Sequence, residues 1–313
     1  MRLAEDSMQK MKYIWVDGKM VPWDQAQVHV LTHALHYGSA IFEGIRAYAC
    51  ADGSSAVFRL EDHCKRMLNS AKILRMNLPL TAEELVKACI ETLEANELKE
   101  GYVRPLSFVG YGEMGVYPGN NPVQTIVATW PWGAYLGAEA LEKGIRIKTS
   151  TFARSHVNTS MSKAKASGNY INSILAKVEA KDEGYDEALM LDTNGYVSEA
   201  TGENIFIVRD GVIKTTPWTS ILGGITRDSI MKLARDLGYV VEEQQFTRDE
   251  MYIADEAFFT GTAAEVTPIS ELDHRQIGVG HAGPVTKHLQ TEYFKIVKGE
   301  NPKYASWLHH YKA

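Results

Sequence analysis

Apolar residues at Leu60, Cys64, Met67, Leu68, Ala71 and Leu74 recur at helical spacing and predict an amphipathic helix with one inward stripe. A second helix is predicted from Thr81, whose hydroxyl can cap while Glu84 reaches back, with Leu85, Ala88, Cys89 and Leu93 on its buried face. Short strand-like runs flank Asp17-Gly18 and Asp52-Gly53, and each pair predicts a tight hairpin because both turn positions tolerate positive φ. Further strand-like runs occupy residues 102–109 and 124–130. The first half therefore reads as a mixed sheet built largely of hairpins, with helices on one side.

After residue 130 the pattern breaks. Trp130-Pro131-Trp132-Gly133-Ala134-Tyr135-Leu136-Gly137 is rich in aromatics and glycine and has no period, so it reads as an interdomain linker. A strand is predicted at 145–149 and a helix at 169–181, ended by Gly184, with Ile171, Leu175 and Val178 facing inward. Hairpins are predicted at Asn194-Gly195 and Asp210-Gly211. A helix starts at Thr226 and stops at Gly238, with Ile230, Leu233, Ala234 and Leu237 on its apolar face. Hairpins with interspersed helices predict an α+β protein of two α/β domains with largely antiparallel or mixed sheets. The expected division is a small N-terminal domain at 1–129, a linker at 130–140 and a larger domain at 141–313.

Composition narrows the function classes. The 313 residues carry 33 basic and 39 acidic side chains, a net charge of −6, which gives no general attraction for nucleic acid or anionic lipid. Three cysteines at no metal-like spacing indicate neither a disulfide framework nor a zinc site. The first residues lack an apolar signal region, and the longest uncharged stretch, 115–138, is interrupted by Pro118, Pro122 and Pro131, so no membrane span is expected. A reduced, soluble, cytoplasmic protein is the expectation.

Candidate chemistry begins with anion binding. Gly223-Gly224-Ile225-Thr226 leads straight into a helix, where backbone N–H groups and the positive end of the macrodipole converge, and the Thr226 hydroxyl is both a helix cap and a phosphate donor. Thr260-Gly261-Thr262-Ala263-Ala264 forms a second small-residue turn after a strand-like run. No lysine follows the glycines and no dinucleotide fingerprint occurs, so nucleotide binding has little support. An ordinary capped helix explains the first feature equally well.

Lys163 and Lys165 precede the helix near Asn169, among small residues. A positive potential there favours the neutral amine that Schiff-base chemistry requires. Most lysines are solvated surface charges, and the residues do not choose between these two. Glu199 ends a hairpin strand and could hold a pyridine nitrogen protonated, making the ring an electron sink; Glu203 is an equal candidate on pattern alone. His29, His33 and His36 cluster at helical spacing without a fourth ligand and read as structural, so no metal is expected.

These pieces together resemble the fold-type IV pyridoxal-phosphate enzymes, the class IV aminotransferases, and most closely the bacterial branched-chain amino acid aminotransferases. The blocks that carry the resemblance are Leu35-His36-Tyr37-Gly38-Ser39-Ala40-Ile41-Phe42-Glu43-Gly44-Ile45-Arg46, Tyr102-Val103-Arg104-Pro105-Leu106, residues 131–137, Ser198-Glu199 with Gly202-Glu203-Asn204, Gly224-Ile225-Thr226-Arg227, and Gly261-Thr262-Ala263-Ala264-Glu265. Ser167 stands where the family often has glycine, and Ala200-Thr201 where it has a small Gly/Ser pair.

The resemblance implies a D-amino-acid-aminotransferase-like fold with the active site at the domain interface, and pyridoxal 5'-phosphate as cofactor. It assigns the Schiff base to Lys165, the pyridine nitrogen to Glu199, the phenolic oxygen to Tyr170, and the phosphate to Arg59, Ile225, Thr226 and Thr262. Tyr37, Phe42, Trp132, Tyr135 and Tyr170 would wall the substrate pocket, with Tyr102, Arg104, Thr262 and Ala263 facing substrate, and Tyr37 and Val116 reaching in from a second subunit. The implied reaction is transamination of leucine, isoleucine and valine with 2-oxoglutarate, by a homodimer or a larger assembly of dimers. Alternatives on the same fold are a D-amino-acid or (R)-amine aminotransferase and aminodeoxychorismate lyase. A remoter one is a non-catalytic protein that binds a phosphate ligand.

Overall fold

The apolar stripes predicted for the first two helices meet one sheet in the computed structural model, which describes residues 8–133, 137 and 139–313. Leu60, Cys64, Met67 and Ala71 of helix Leu60–Ile73, and Leu85, Ala88, Cys89 and Leu93 of helix Ala82–Ala95, pack with Ile41, Ile45, Val57, Val103 and Val127 of the strands. The second helix starts with the reciprocal capping box read from Thr81 and Glu84. Among the described residues this sheet has eight strands. Their order is Leu308–Tyr311, Ser55–Phe58, Ile45–Ala49, Gly101–Val109, Val123–Trp130, Tyr13–Val16 and Lys19–Pro22, with Ala40–Phe42 also paired to Gly101–Val109. Every described pairing in it is antiparallel, rather than the mixed arrangement expected; three of the pairs join strands consecutive in the chain, and the others bring distant strands together in the same sense.

The chain divides into two compact units, but not at a single linker. The first holds residues up to Gly133 together with Ala164–Gly168 and Ile296–Ala313; the second holds Ala134–Lys163 and Asn169–Lys295. The expected second domain at 141–313 therefore gives up two segments. Residues 308–311 complete the first sheet beside Ser55–Phe58. Residues 164–168 return to it because Ala166 bridges Ile41, the Phe42 amide donates to the Lys165 carbonyl at 3.1 Å, and the Lys165 amide donates to Ser70 Oγ at 3.0 Å.

The second unit is built on a mixed sheet of nine described strands, ordered Val197–Ala200, Glu187–Leu191, Ile145–Thr149, Glu265–Leu272, Glu256–Gly261, Asn204–Arg209, Val212–Thr215 and Val240–Glu243, with Arg275–Gln276 added beside Glu265–Leu272. The hairpins at Asn194-Gly195 and Asp210-Gly211 form as read. Helix Tyr170–Asp182 departs from its predicted face. Ile171, Leu175 and Val178 are 61%, 45% and 52% exposed, while Ser173, Ala176 and Ala180 are buried. Both stripes have helical spacing. The small one wins because Ala176 and Ala180 let the helix lie close to Ala188 and Met190 of the sheet.

Candidate active site

In the first unit, a lysine and an arginine share one aromatic ring. Phe42 ends strand Ala40–Phe42, where residues 164–168 are held, and its ring centroid lies 5.1 Å from Lys165 Nζ and 4.6 Å from the Arg104 guanidinium carbon. Tyr102 and Arg104, two apart on strand Gly101–Val109, project on one face as read from their spacing, and Arg104 Nη2 reaches the Tyr102 hydroxyl at 3.4 Å. The guanidinium also lies 5.3 Å from the Tyr102 ring and 5.8 Å from Trp130. Trp132 closes edge-on against Tyr102 at 4.4 Å, and its carbonyl accepts from Arg46. Arg104 Nε is buried and has no hydrogen-bond partner among the described residues. Gly44 is required at this spot, because a Cβ there would overlap the Tyr102 hydroxyl.

Beneath this group lies an ionic cluster that sequence reasoning missed. Glu43 is fully buried; it accepts from Arg66 Nε at 2.7 Å, Arg66 Nη2 at 2.6 Å and His63 Nδ1 at 2.8 Å. Burial alone would raise the Glu43 pKa, but the Arg66 charge and the hydrogen bonds from Arg66 and His63 outweigh it and hold the carboxyl far below its usual range. Burial pushes His63 down, with Glu43 only partly offsetting it. The sequence signal was the helical spacing of His63 and Arg66; their partner lies 20 and 23 residues upstream of them. Arg59 caps the same helix in a left-handed conformation, φ 52°, and is almost buried; its Nε donates to Asp62 at 2.5 Å and its guanidinium lies 5.1 Å from the Trp307 ring.

In the second unit, Glu199 is 5% exposed and surrounded by donors. Arg154 Nη2 lies 2.8 Å from Oε1, while Oε2 accepts from Asn204 Nδ2 and the Leu222 amide, each at 3.2 Å. Three donors and a guanidinium charge favour the ionised carboxylate. Glu203, the equal candidate on pattern, instead accepts from the Gly202 amide in its own turn. Neither Arg154 nor Asn204 was assigned a role from the sequence, since only the fold brings them to Glu199.

Helix Ile225–Asp236 begins at Ile225, one residue earlier than read, with Gly224 as its N-cap, so Thr226 is its second residue and makes no cap. With no capping side chain, its first N–H groups are available to an anion. Gly224 itself is required because a Cβ would collide with Asn204 Oδ1, which ties this helix start to the Glu199 network. Ile225 and Thr226 are buried, and Thr262 and Ala263 occupy the tip of the hairpin between Glu256–Gly261 and Glu265–Leu272.

Lys163 and Lys165 separate clearly. The Lys163 ammonium donates to the carbonyls of Trp218, Thr219 (3.2 Å) and Ile221 (2.7 Å) in the second unit, whereas Lys165 lies over Phe42 in the first. Tyr170 is the first residue of helix Tyr170–Asp182 and is half-buried. Tyr37 is 45% and Val116 87% exposed. Tyr135 lies outside the described residues. His33 bonds Ser39 Oγ and the Gly115 carbonyl, and His36 the Val30 carbonyl, which are structural uses of those rings.

The residues fit the cofactor that the resemblance implies. An ionised, buried carboxylate suits a protonated ring nitrogen, and an uncapped helix start suits a phosphate. Ser198 Oγ, beside Glu199, and Thr260 Oγ1, just before the 261–264 turn, are buried with no hydrogen-bond partner among the described residues.

The family model described as Amino-transferase class IV matches residues 40–272. The chain is 52% identical over 294 residues to a branched-chain-amino-acid aminotransferase of Pseudomonas aeruginosa, covering 94% of this chain and 95% of that one. It is 49% identical over 301 residues to the enzyme of the same name from Escherichia coli, covering 96% and 97%. A solved T.th. branched-chain amino acid aminotransferase with pyridoxamine 5'-phosphate superimposes with a TM-score of 0.94 at 51% identity, covering 97% of this chain and 99% of that one. That protein has also been solved with N-(5'-phosphopyridoxyl)-L-glutamate and with 4-methylvaleric acid.

Proposed function

The chain belongs to the class IV aminotransferase family, and from that premise we propose that it transfers the amino group of L-leucine, L-isoleucine and L-valine to 2-oxoglutarate, with pyridoxal 5'-phosphate as cofactor. The observation that carries the substrate reading is the Phe42 ring shared by Lys165 and Arg104. It sets an amine beside an aromatic-walled guanidinium, which suits an amino acid with an aliphatic side chain or a second carboxylate. Solved complexes of the T.th. relative with a glutamate adduct and a branched aliphatic acid support the same pairing.

Pyridoxal phosphate, when bound, supplies the electron sink that makes a substrate Cα proton removable. Lys165 would hold the cofactor through its amine, and the same amine would serve as the base that takes the Cα proton and the acid that gives it back. Glu199 is held by Arg154, Asn204 and the Leu222 amide, and as a carboxylate it would keep the ring nitrogen protonated. Arg59, Ile225, Thr226 and Thr262 would hold the phosphate, and Tyr170 the phenolic oxygen. Phe42, Tyr102 and Trp132 would exclude water from an aliphatic chain, Arg104 would receive the γ-carboxylate of glutamate, and Thr262 and Ala263 would offer amides to the α-carboxylate.

The working form in this proposal is a cytoplasmic homodimer or an assembly of dimers. Among the described residues no helix is long and apolar enough to cross a membrane. The exposed Tyr37 and Val116 are supplied to a second copy's pocket, and the exposed Ile171, Ile174, Leu175 and Val178 stripe is of the kind a further copy covers.

An amino-donor panel against 2-oxoglutarate, with L and D isomers and (R)-amines, tests the proposal. Branched L-amino acids should yield glutamate; reaction with D isomers or (R)-amines alone would move the protein to another member of the fold.

A further inference from the structure

Lys163 spends its whole donor capacity on one loop. An ammonium has three N–H donors, and here they meet the carbonyls of Trp218, Thr219 and Ile221. Three carbonyl oxygens converging on one point repel each other unless a cation neutralises them. The side chain also lies 5.5 Å from the Trp218 ring. Residues 217–224 form no helix or strand, so their position depends on such tethers.

The two ends of the loop are held by other groups. At its start the Thr216 carbonyl accepts from Arg227 Nη2 at 2.8 Å. At its end the Leu222 carbonyl accepts from Asn204 Nδ2 at 3.0 Å, and the Leu222 amide donates to Glu199. Gly223 packs so tightly on Trp218 that a Cβ would lie 2.5 Å from its Nε1. Two residues after Leu222 comes Gly224 and then the uncapped helix start. The middle of the loop, between these two anchors, is where Lys163 binds.

We propose that Lys163 is a positioning residue that pins residues 218–221 and thereby presents the Gly224-Ile225-Thr226 helix start to the phosphate of the cofactor. The inference rests on the pyridoxal-phosphate reading above and gives the lysine two residues before the cofactor lysine a task of its own. Burial, the larger influence, pulls the Lys163 pKa below that of a free lysine, with Glu199 pulling it back up. The three carbonyls favour the charged form that the pin requires.

The test compares wild type, Lys163→Met and Lys163→Arg as full chains stripped of cofactor and reloaded with pyridoxal phosphate or with pyridoxal, which lacks the phosphate. Binding is followed by visible absorbance. Lys163→Met keeps the stem and removes the charge, and should weaken pyridoxal phosphate by about tenfold or more, the loss expected for a hydrogen bond to a charged group. Pyridoxal affinity should stay unchanged, and Lys163→Arg should recover most of the loss. Equal affinity of Lys163→Met and wild type for pyridoxal phosphate overturns the inference, and so does equal weakening toward both compounds. A wild-type chain that takes up neither compound overturns the cofactor reading instead.

Discussion

Arg104 places its guanidinium carbon 4.6 Å from the centroid of the Phe42 ring, and its Nε is buried with no hydrogen-bond partner among the described residues. A cation stacked on aromatic faces with a spare donor suits a pocket that meets an aliphatic chain in one half-reaction and a carboxylate in the other. Arg104→Met, which keeps the stem and removes the charge, should weaken the glutamate half-reaction by about 1.5–3 kcal/mol and barely alter the leucine one. Single-turnover rates followed by cofactor absorbance measure both. Equal losses would reassign Arg104 to the α-carboxylate common to all substrates.

Lys165→Ala should abolish the visible absorbance of the lysine-linked cofactor and slow transamination by roughly 10²–10⁴-fold or more, the range for loss of a general acid–base group. Absorbance spectra and steady-state rates of the purified variant are the check. A variant that retained both would send the assignment back to Lys163.

Glu199→Gln keeps the shape of the side chain but not its charge. It should retain cofactor while slowing proton removal from Cα by about 1.5–3 kcal/mol, because a neutral amide stabilises a protonated ring nitrogen poorly. Arg154 would then face a neutral partner in a site where it is largely buried, so a modest loss of thermal stability should accompany the kinetic effect. Half-reaction rates and melting curves separate the two; unchanged rates would pass the role to another acid.

The Glu43–His63–Arg66 cluster predicts a specific acid response. Both Glu43 and His63 have pKa values depressed on folding, so in each case the unfolded chain binds the proton more tightly. Their stabilisation is present above the ordinary values and is lost as pH falls, beginning below 6.5 for His63 and below 4.5 for Glu43. Denaturant midpoints measured from pH 8 downwards should therefore start to fall near the His63 value. His63→Gln should remove that upper part of the slope and leave the Glu43 part; an unchanged slope would place its origin elsewhere.

Gly44→Ala tests the close approach beneath Tyr102. The added Cβ overlaps the tyrosine hydroxyl and should cost about 1–3 kcal/mol by overpacking. Adding Tyr102→Phe, which deletes the hydroxyl, should recover part of that loss in denaturant unfolding. Strict additivity of the two substitutions would mean that the overlap is not the cause.

Local pattern alone determined the hairpins at Asp17-Gly18, Asp52-Gly53, Asn194-Gly195 and Asp210-Gly211, the capping box at Thr81 and Glu84, and the inward stripes of helices Leu60–Ile73 and Ala82–Ala95. These depend on residues within a turn or two of each other, so their physics is complete in a short window. The pairing of Tyr102 with Arg104 on one face followed from strand periodicity in the same way.

What periodicity could not rank was decided by packing at a distance. Helix Tyr170–Asp182 carries two stripes of equal spacing, and only the nearby sheet selects the small one. Residues 164–168 belong with the first unit through contacts to Ile41, Phe42 and Ser70, far away in sequence. Lys163 and Lys165 look alike in the chain because their difference lies in partners more than fifty residues away: three carbonyls for one, the Phe42 ring for the other. Glu199 likewise parts from Glu203 only when Arg154, Asn204 and Leu222 close around it. A side chain's charge state and reach are set by the groups that share its space, and that sharing exists only once the tertiary fold has brought them together.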